Sequence, residues 1–119
     1  FHSSLGAAWY RRLAESGGEA LERLTEATEA MLPAVMAWVG AEDEVDGTLS
    51  ASGLIGGGSE RLAAFKDRVR ELLAMAGVDV DAAAASAEWD AVRGRGPGRP
   101  DDEVIERARG DRNRMLFVE

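Results

Sequence analysis

Residues 19–39 read EALERLTEATEAMLPAVMAWV and predict one long amphipathic helix. Apolar side chains and one threonine recur at steps of three and four, which places them on one helical face: Leu21, Leu24, Thr28, Met31, Val35 and Val39. The opposite face is charged and is expected to lie in water: Glu19, Glu22, Arg23, Glu26 and Glu29. Residues 31–39 are apolar nearly all round, with Trp38 on a flank, so we expect this half to be the more deeply buried.

Pro33 lies inside this helix, where it removes one backbone donor and crowds the carbonyl of Glu29. In an unsupported helix this costs about 3 kcal/mol. We therefore expect a kinked helix that strong packing holds in place. Such packing indicates an all-α helix bundle.

The composition fits one small helical domain. The chain has 119 residues, of which 45% are apolar and 6% aromatic, and helix-forming Ala, Leu, Glu and Arg dominate. The absence of cysteine excludes disulfides, thiolate metal sites and cysteine nucleophiles, and a cytoplasmic location is the default expectation. No apolar run reaches the roughly 20 residues that cross a bilayer, so no membrane partner is expected, and no signal peptide is visible.

The net charge of −8 is unevenly distributed along the chain. Residues 1–92 carry sixteen acidic and seven basic side chains, whereas residues 93–119 carry seven arginines and six acidic side chains. The acidic body disfavours nonspecific binding to nucleic acid, because like charges repel the phosphates. Residues 93–100, RGRGPGRP, resemble a minor-groove arm of the AT-hook type, with a flexible connector as the favoured alternative.

A first helix precedes the long one and is predicted to pair with it. Phe1, Leu5, Trp9 and Leu13 recur at every fourth residue and are expected to form its buried face. Residues 15–18, ESGG, suit the end of one helix and the start of the next. A connection this short predicts two antiparallel neighbours. Because the helical pattern begins at Phe1, we expect the chain to be a piece of something longer.

Residues 41–59 read AEDEVDGTLSASGLIGGGS, first acidic and then glycine-rich. The calcium-loop spacing is absent, so a solvated acidic loop is the favoured interpretation. The three glycines at 56–58 lack the strand and the Lys-Ser/Thr of a phosphate loop, which indicates a flexible lead-in to a helix. Leu49, Leu54 and Ile55 predict a short turn of helix that lies against the bundle.

Ser59 can cap a helix over residues 60–76, with Arg61 among the outward-facing charges. Its predicted inner stripe is Leu62, Phe65, Val69, Leu72 and Leu73. Gly77 suits a left-handed stop, and Val78 can pack back over the last turn.

Beyond this helix the pattern weakens. Residues 79–89 are alanine-rich and predict a short helix or an irregular arm, with Trp89 docked on the body. Pro100 suits the first position of a final helix with acidic residues in its first turn. Residues 115–118, MLFV, predict an apolar plug at the end of the chain. We divide the chain into a helical bundle segment, 1–92, and an arginine-rich connector with a C-terminal helix, 93–119.

Catalytic side chains are scarce, and no catalytic or cofactor-binding residue is assigned. His2 is the single histidine and the one candidate metal ligand. It could complete a Glu-x-x-His pair of a di-iron bundle only if the glutamate preceded Phe1. A structural histidine at a helix end is the alternative that we favour, and we expect the chain to bind no iron by itself.

The order of these parts resembles a known family. An aromatic-histidine pair (Phe1-His2), the segment AAWYRRLA, a glycine turn, the helix with Leu32-Pro33 and the later segment SERLAAFKDRVRELLAMAGV follow one another. Over residues 1–80 this is similar to the C-terminal half of the phenylacetate-catabolism ferritin-like family, on the C-subunit branch of the phenylacetyl-CoA epoxidases. The final 93–119 segment departs from the family, because it lacks the histidine run found there.

The resemblance implies a ferritin-like bundle and a structural, non-catalytic subunit of a di-iron phenylacetyl-CoA monooxygenase complex. The di-iron centre would then belong to a partner, the catalytic oxygenase subunit. Two alternatives are a di-iron oxygenase in its own right and a helical interaction module with a weak DNA-binding arm. Because the apolar faces outnumber the helices that could cover them, we also predict that the chain does not remain a monomer.

Overall fold

The computed structural model describes residues 1–42, 44–90, 92, 96 and 100–110. Within these ranges it contains five helices: α1 His2–Ser16, α2 Gly18–Gly40, α3 Glu44–Ala51, α4 Gly58–Ala74 and α5 Asp102–Ala108. The described residues contain no β-strand, so the predicted all-α class is confirmed. No helix in these ranges has both the length and the apolar character needed to cross a membrane.

The core lies where α2 and α4 meet, and an irregular segment closes it. Three helices, α1, α2 and α4, pack on one another. The buried cluster is formed by Leu32, Met36, Leu73, Ala76, Val78 and Val80. Among the described residues, neither α3 nor α5 lies beside another helix. The predicted short turn of helix is present as α3, and Leu49 and Ile55 are half-buried, but Leu54 is 74% exposed.

The turn between α1 and α2 consists of one residue outside the helices, Gly17. Gly17 and Gly18 have φ angles of 63° and 52°, in the left-handed region that glycine adopts without a steric penalty. The Gly17 N–H donates to the Ala14 carbonyl at 3.3 Å, and the Leu21 N–H donates to the Gly17 carbonyl at 3.2 Å. The predicted break at residues 15–18 and the pairing of the two helices are confirmed.

Helix α2 runs without interruption through Pro33. The segment after α4, residues 76–86, is irregular and contacts α2 at both ends, so of the two predicted alternatives the irregular arm is correct. At one end, the Thr25 hydroxyl lies 2.9 Å from the Ala76 carbonyl. At the other, the Ser86 N–H donates to the Pro33 carbonyl at 2.9 Å. This arm supplies the packing that the proline was expected to need.

In the C-terminal half of α2, the most deeply buried side chains are the sequence neighbours of two predicted core residues, Met31 and Val35. Leu32 and Met36 are 6% and 1% exposed, whereas Met31 is 64% exposed. Leu21 and Leu24 pack against the core as predicted. The C-terminal half of α2 does hold its two buried side chains, but Met31 was wrongly assigned to that face. Because this half is apolar all round, its periodicity alone fits either rotation.

Helix α4 begins one residue earlier than the predicted cap, since Gly58 is already helical and Ser59 lies inside the helix. It ends at Ala74, two residues before the predicted end, but the predicted stop at Gly77 is confirmed. Gly77 has a φ of 72°, and the Val78 N–H donates to the Leu73 carbonyl at 3.1 Å. Val78 is 7% exposed and packs back over the last turn, as in a Schellman motif.

The C-terminal helix α5 starts at Asp102, with Asp101 as its N-cap. Pro100 therefore precedes the helix and does not occupy its first position. Asp102 and Glu103 lie in the first turn, where carboxylates complement the helix dipole as predicted. Trp89 is half-buried. The arginines of residues 93–99 and the apolar residues 115–118 lie outside the described residues. The flexible connector or minor-groove arm at residues 93–100 and the apolar plug at residues 115–118 therefore remain predictions.

Candidate functional site

His2, the candidate metal ligand, lies exposed at the start of α1. Its ring contacts Phe1 edge to face, with the two ring centroids 5.4 Å apart. Over residues 1–42, 44–90, 92, 96 and 100–110, no three His, Asp or Glu side chains are grouped to hold a metal ion. The described residues therefore do not fit a di-iron centre at His2.

The apolar face of α1 that was predicted to be buried is instead exposed. Its members form what we call the outer α1 face, with exposed fractions of 92%, 46%, 57% and 39% for Phe1, Leu5, Trp9 and Leu13. The prediction that these four side chains enter the core is wrong, and the helix is turned by roughly half a turn from that orientation. An exposed row of four large apolar side chains is unusual on an isolated domain.

A less apolar set on the other side of α1 makes the contact with the bundle. Ala14 is 8% exposed, and Tyr10 packs against the core. The Tyr10 hydroxyl lies 2.8 Å from the Thr28 hydroxyl, which in turn donates to the Leu24 carbonyl at 2.7 Å. Because the single hydroxyl proton of Thr28 is donated to that carbonyl, Thr28 accepts the hydrogen bond from Tyr10. This chain of hydrogen bonds fixes the rotation of α1 and leaves the outer α1 face uncovered.

Helix α2 also carries a second, exposed apolar row, which we call the α2 stripe. Its spacing alternates between four and three residues, and small side chains alternate with large ones: Ala20, Leu24, Ala27, Met31, Ala34 and Trp38. Ala27, Met31, Ala34 and Trp38 are exposed, with Trp38 at 67%. The apolar character of this helix was predicted, but the alternation of side-chain sizes was not.

Two open clefts border these faces. One, of about 520 Å³, lies between α1 and the start of α2 and is lined by Leu13, Glu19, Ala20, Arg23, Leu24 and Ala27. The other, of about 270 Å³, lies where α1, α2 and α4 meet and is almost wholly apolar, with Tyr10, Met31, Val35 and Phe65 among its lining residues. Neither cleft gathers the acids, bases or nucleophiles of a catalytic centre. Both suit apolar side chains.

The end of α2 and the start of α4 are joined at one junction, which Arg61 holds together. Its guanidinium donates to three backbone carbonyls, of Val39 at 3.2 Å, Ala41 at 2.6 Å and Gly56 at 2.6 Å. Arg61 was predicted to face outward, but it is half-buried. It satisfies carbonyl acceptors at the C-terminus of α2, where a cation is favoured by the helix dipole. Two of its three acceptors, the carbonyls of Val39 and Ala41, lie 22 and 20 residues away in the sequence, so no local pattern indicates this role.

Glu42 belongs to the same junction. Its carboxylate accepts a hydrogen bond from the N–H of Gly58 at the start of α4. Part of the acidic segment that was expected to be solvated therefore caps a helix N-terminus, where a carboxylate is favoured.

We expect Arg61→Lys to destabilise the fold by about 2 kcal/mol, because an ammonium cannot reproduce three hydrogen bonds in a planar fork. Thermal melts followed by circular dichroism would measure the loss. Arg68→Lys is the matched control on the exposed side of α4, and it should change the free energy of unfolding by no more than about 0.5 kcal/mol. Equal effects of the two substitutions would contradict the structural role of Arg61.

The arm after α4 is also tied to the helix by charge. Arg70 donates to both carboxylate oxygens of Asp81, at 2.7 and 3.0 Å, and to Asp67 at 2.7 Å. Hydrogen bonding to Arg70 lowers the pKa of the Asp81 carboxyl. The ion pair therefore contributes stability above the ordinary carboxyl pKa and loses it as the pH falls through the lowered value.

No family model, curated protein or solved structure with which the chain was compared matches it. The two exposed apolar faces and the resemblance seen in the sequence are therefore the features that bear on function.

Proposed function

We propose that this chain is a structural, non-catalytic subunit that binds a helical protein partner through the outer α1 face. The observation that carries the proposal is the exposure of Phe1, Leu5, Trp9 and Leu13 on one side of a helix whose other side is already packed. Burying a side chain of this size contributes about 1.5–3 kcal/mol. A partner that covers the face therefore gains most of its affinity there.

The spacing of the face defines the kind of partner that fits. Side chains four residues apart along three turns form a ridge, and a ridge packs into the groove on another helix or between two helices. Arg12 follows Trp9 by three residues and borders the ridge, which favours a partner with a carboxylate at the rim. Aromatic side chains at the centre and charges at the rim are typical of interaction surfaces.

The resemblance to the phenylacetate-catabolism ferritin-like family identifies the partner that we propose. In that family the C-subunit branch assembles with a di-iron oxygenase subunit that acts on phenylacetyl-CoA. This chain would then support the oxygenase, and the iron and the substrate would be held by the partner. A ferritin-like arrangement of its helices belongs to the same proposal.

A binding experiment with matched leucines tests the proposal. The chain is mixed with the purified oxygenase subunit of a phenylacetyl-CoA epoxidase-type complex, and the Kd is measured by isothermal titration calorimetry. Leu5→Glu, on the outer α1 face, should raise the Kd at least about tenfold, as expected for the loss of an interface contact of about 1.4 kcal/mol. Leu54→Glu alters a leucine that is even more exposed, 74% against 46% for Leu5, but lies away from that face, and it should leave the Kd unchanged.

Two results would contradict the proposal. One is the absence of any complex between the unmodified chain and the oxygenase subunit. The other is an equal loss of affinity in the two leucine variants, which would show that the added charge, and not the position, weakens binding.

A further inference from the structure

We propose that a second copy of this chain covers the α2 stripe, with the two α2 helices packed antiparallel about a twofold axis. The stripe runs from Ala20 to Trp38, about 27 Å along the helix. Ala27, Met31, Ala34 and Trp38 are exposed and free to be covered, whereas Ala20 and Leu24 are half-buried in the folded chain. This association uses α2, and of the outer α1 face only Leu13 comes near it, so it does not depend on the proposed subunit role.

The first argument is the order of side-chain sizes along the stripe. Small alanines occupy every second position, and Leu24, Met31 and Trp38 occupy the others. When a second α2 runs antiparallel with its centre at residue 29, each large side chain meets an alanine: Trp38 meets Ala20, Leu24 meets Ala34, and Met31 meets Ala27. A twofold interface requires a surface that is complementary to itself, and the α2 stripe meets that requirement at all six positions.

A parallel pair does not have this property. In register, each large side chain would meet its own counterpart, and each alanine would face another alanine. The pairs of large side chains would hold the two helices apart, and a gap would then remain between the facing alanines. The alternation therefore favours the antiparallel pair.

The second argument is a cleft at the position where the antiparallel pair needs one. Trp38 of the second copy would lie over Ala20, and Ala20 lines the cleft of about 520 Å³ between α1 and α2. Leu13 and Leu24 provide apolar walls there. Trp38 is 67% exposed, so in the folded chain this large indole has little to pack against. The twofold axis repeats this contact at both ends of the stripe.

Charge agrees with the same arrangement. From Leu24 to Gly40 the only charged residues are Glu26 and Glu29, and both lie on the side of α2 away from the stripe. Like charges on the two acidic chains therefore stay apart. At the other end, Glu19 and Arg23 border the stripe as an ion pair, with Oε1 of Glu19 2.6 Å from the Arg23 guanidinium, so this end presents no net charge to the second α2.

The molar mass in solution tests the association, and a variant with a charge at the centre of the stripe should abolish it. Multi-angle light scattering should give the unmodified chain twice its 12.7 kDa mass at micromolar concentration. Ala27→Glu should give a monomer with unchanged helical content, because Ala27 is exposed in the folded chain. Ala64→Glu places the same charge at an exposed alanine of α4 and should remain a dimer.

Two cysteine variants test the direction of the helices, since the chain has no cysteine of its own. Leu24→Cys and Ala34→Cys should form a disulfide with each other when mixed, and neither should do so alone. In the antiparallel pair the two copies of residue 24 are about 15 Å apart along the helix, too far for a disulfide. A parallel pair would instead cross-link each variant with itself.

Three results would overturn the proposal. They are a monomeric unmodified chain, a dimer that survives Ala27→Glu, and cross-linking of either cysteine variant with itself in place of the mixed pair. Should Ala27→Glu unfold the chain, the cysteine pattern decides by itself. Loss of the dimer in Leu5→Glu but not in Ala27→Glu would assign self-association to the outer α1 face and reject the α2 stripe.

Discussion

Gly58→Ala is expected to destabilise the fold by about 1–3 kcal/mol or more, a large effect for the addition of one methyl group. A Cβ on Gly58 would overlap the carbonyl oxygen of Gly40 and lie 3.1 Å from its carbonyl carbon. It would also lie 2.9 Å from Cγ of Glu42, whose carboxylate caps the same N–H. Because the obstacle is backbone, relief requires α2 and α4 to move apart, and this also weakens the cap.

Gly6→Ala is the control for this substitution. Gly6 lies within α1, and a Cβ there would meet no atom within 4 Å. An alanine inside an open helix stabilises it by about 0.5–1 kcal/mol relative to glycine. Thermal melts should therefore shift in opposite directions for the two variants. A neutral Gly58→Ala would show that α2 and α4 do not approach each other as closely as described.

Met36→Ala is expected to cost about 2–5 kcal/mol, the range for removing a large side chain from a packed core. Met36 is 1% exposed and belongs to the buried cluster between α2, α4 and the arm. The loss should appear in urea unfolding as a lower midpoint with an unchanged slope.

Met31→Ala removes the same side chain from the same helix at a position that is 64% exposed, and it should cost less than about 0.5 kcal/mol. Both methionine variants are best compared in the Ala27→Glu background, so that association of two chains does not contribute. If Met31→Ala cost as much as Met36→Ala, the rotation predicted from the sequence would be right and the structural one wrong.

Helices and their ends follow from local chemistry, and the sequence predicted most of them. Gly17 and Gly18 separate α1 from α2, Gly40 is the last residue of α2, and Gly77 prevents α4 from continuing. Each of these helix ends depends on the helix propensities and φ angles of a few residues that are adjacent in the sequence. The all-α class follows from the same local preferences.

The faces of α1 and α2 could not be predicted with the same success, because hydrophobic periodicity does not say which neighbour covers which side. On α1 the larger apolar row was chosen, yet Ala14 and Tyr10 make the contact, since Tyr10 has a hydrogen-bond partner in Thr28 and Ala14 permits close approach. Arg61 and Gly58 depend on backbone atoms of residues 39–41, which only the folded chain brings near. The candidate interaction surfaces were missed for the same reason.

The shallow seating of α1 has a consequence for how the molecule opens. Ala14 is the one buried residue of α1, whereas α2, α4 and the arm contribute every member of the buried cluster. Cooperative units with few buried apolar contacts open at a lower free energy than the rest of a domain. Of the three helices that pack together, α1 is therefore expected to detach first, and α2 and α4 keep their core when it does. The exposed apolar row of Phe1, Leu5, Trp9 and Leu13 is thus carried on the most easily displaced of these three helices, which lets a partner reposition α1 at little cost.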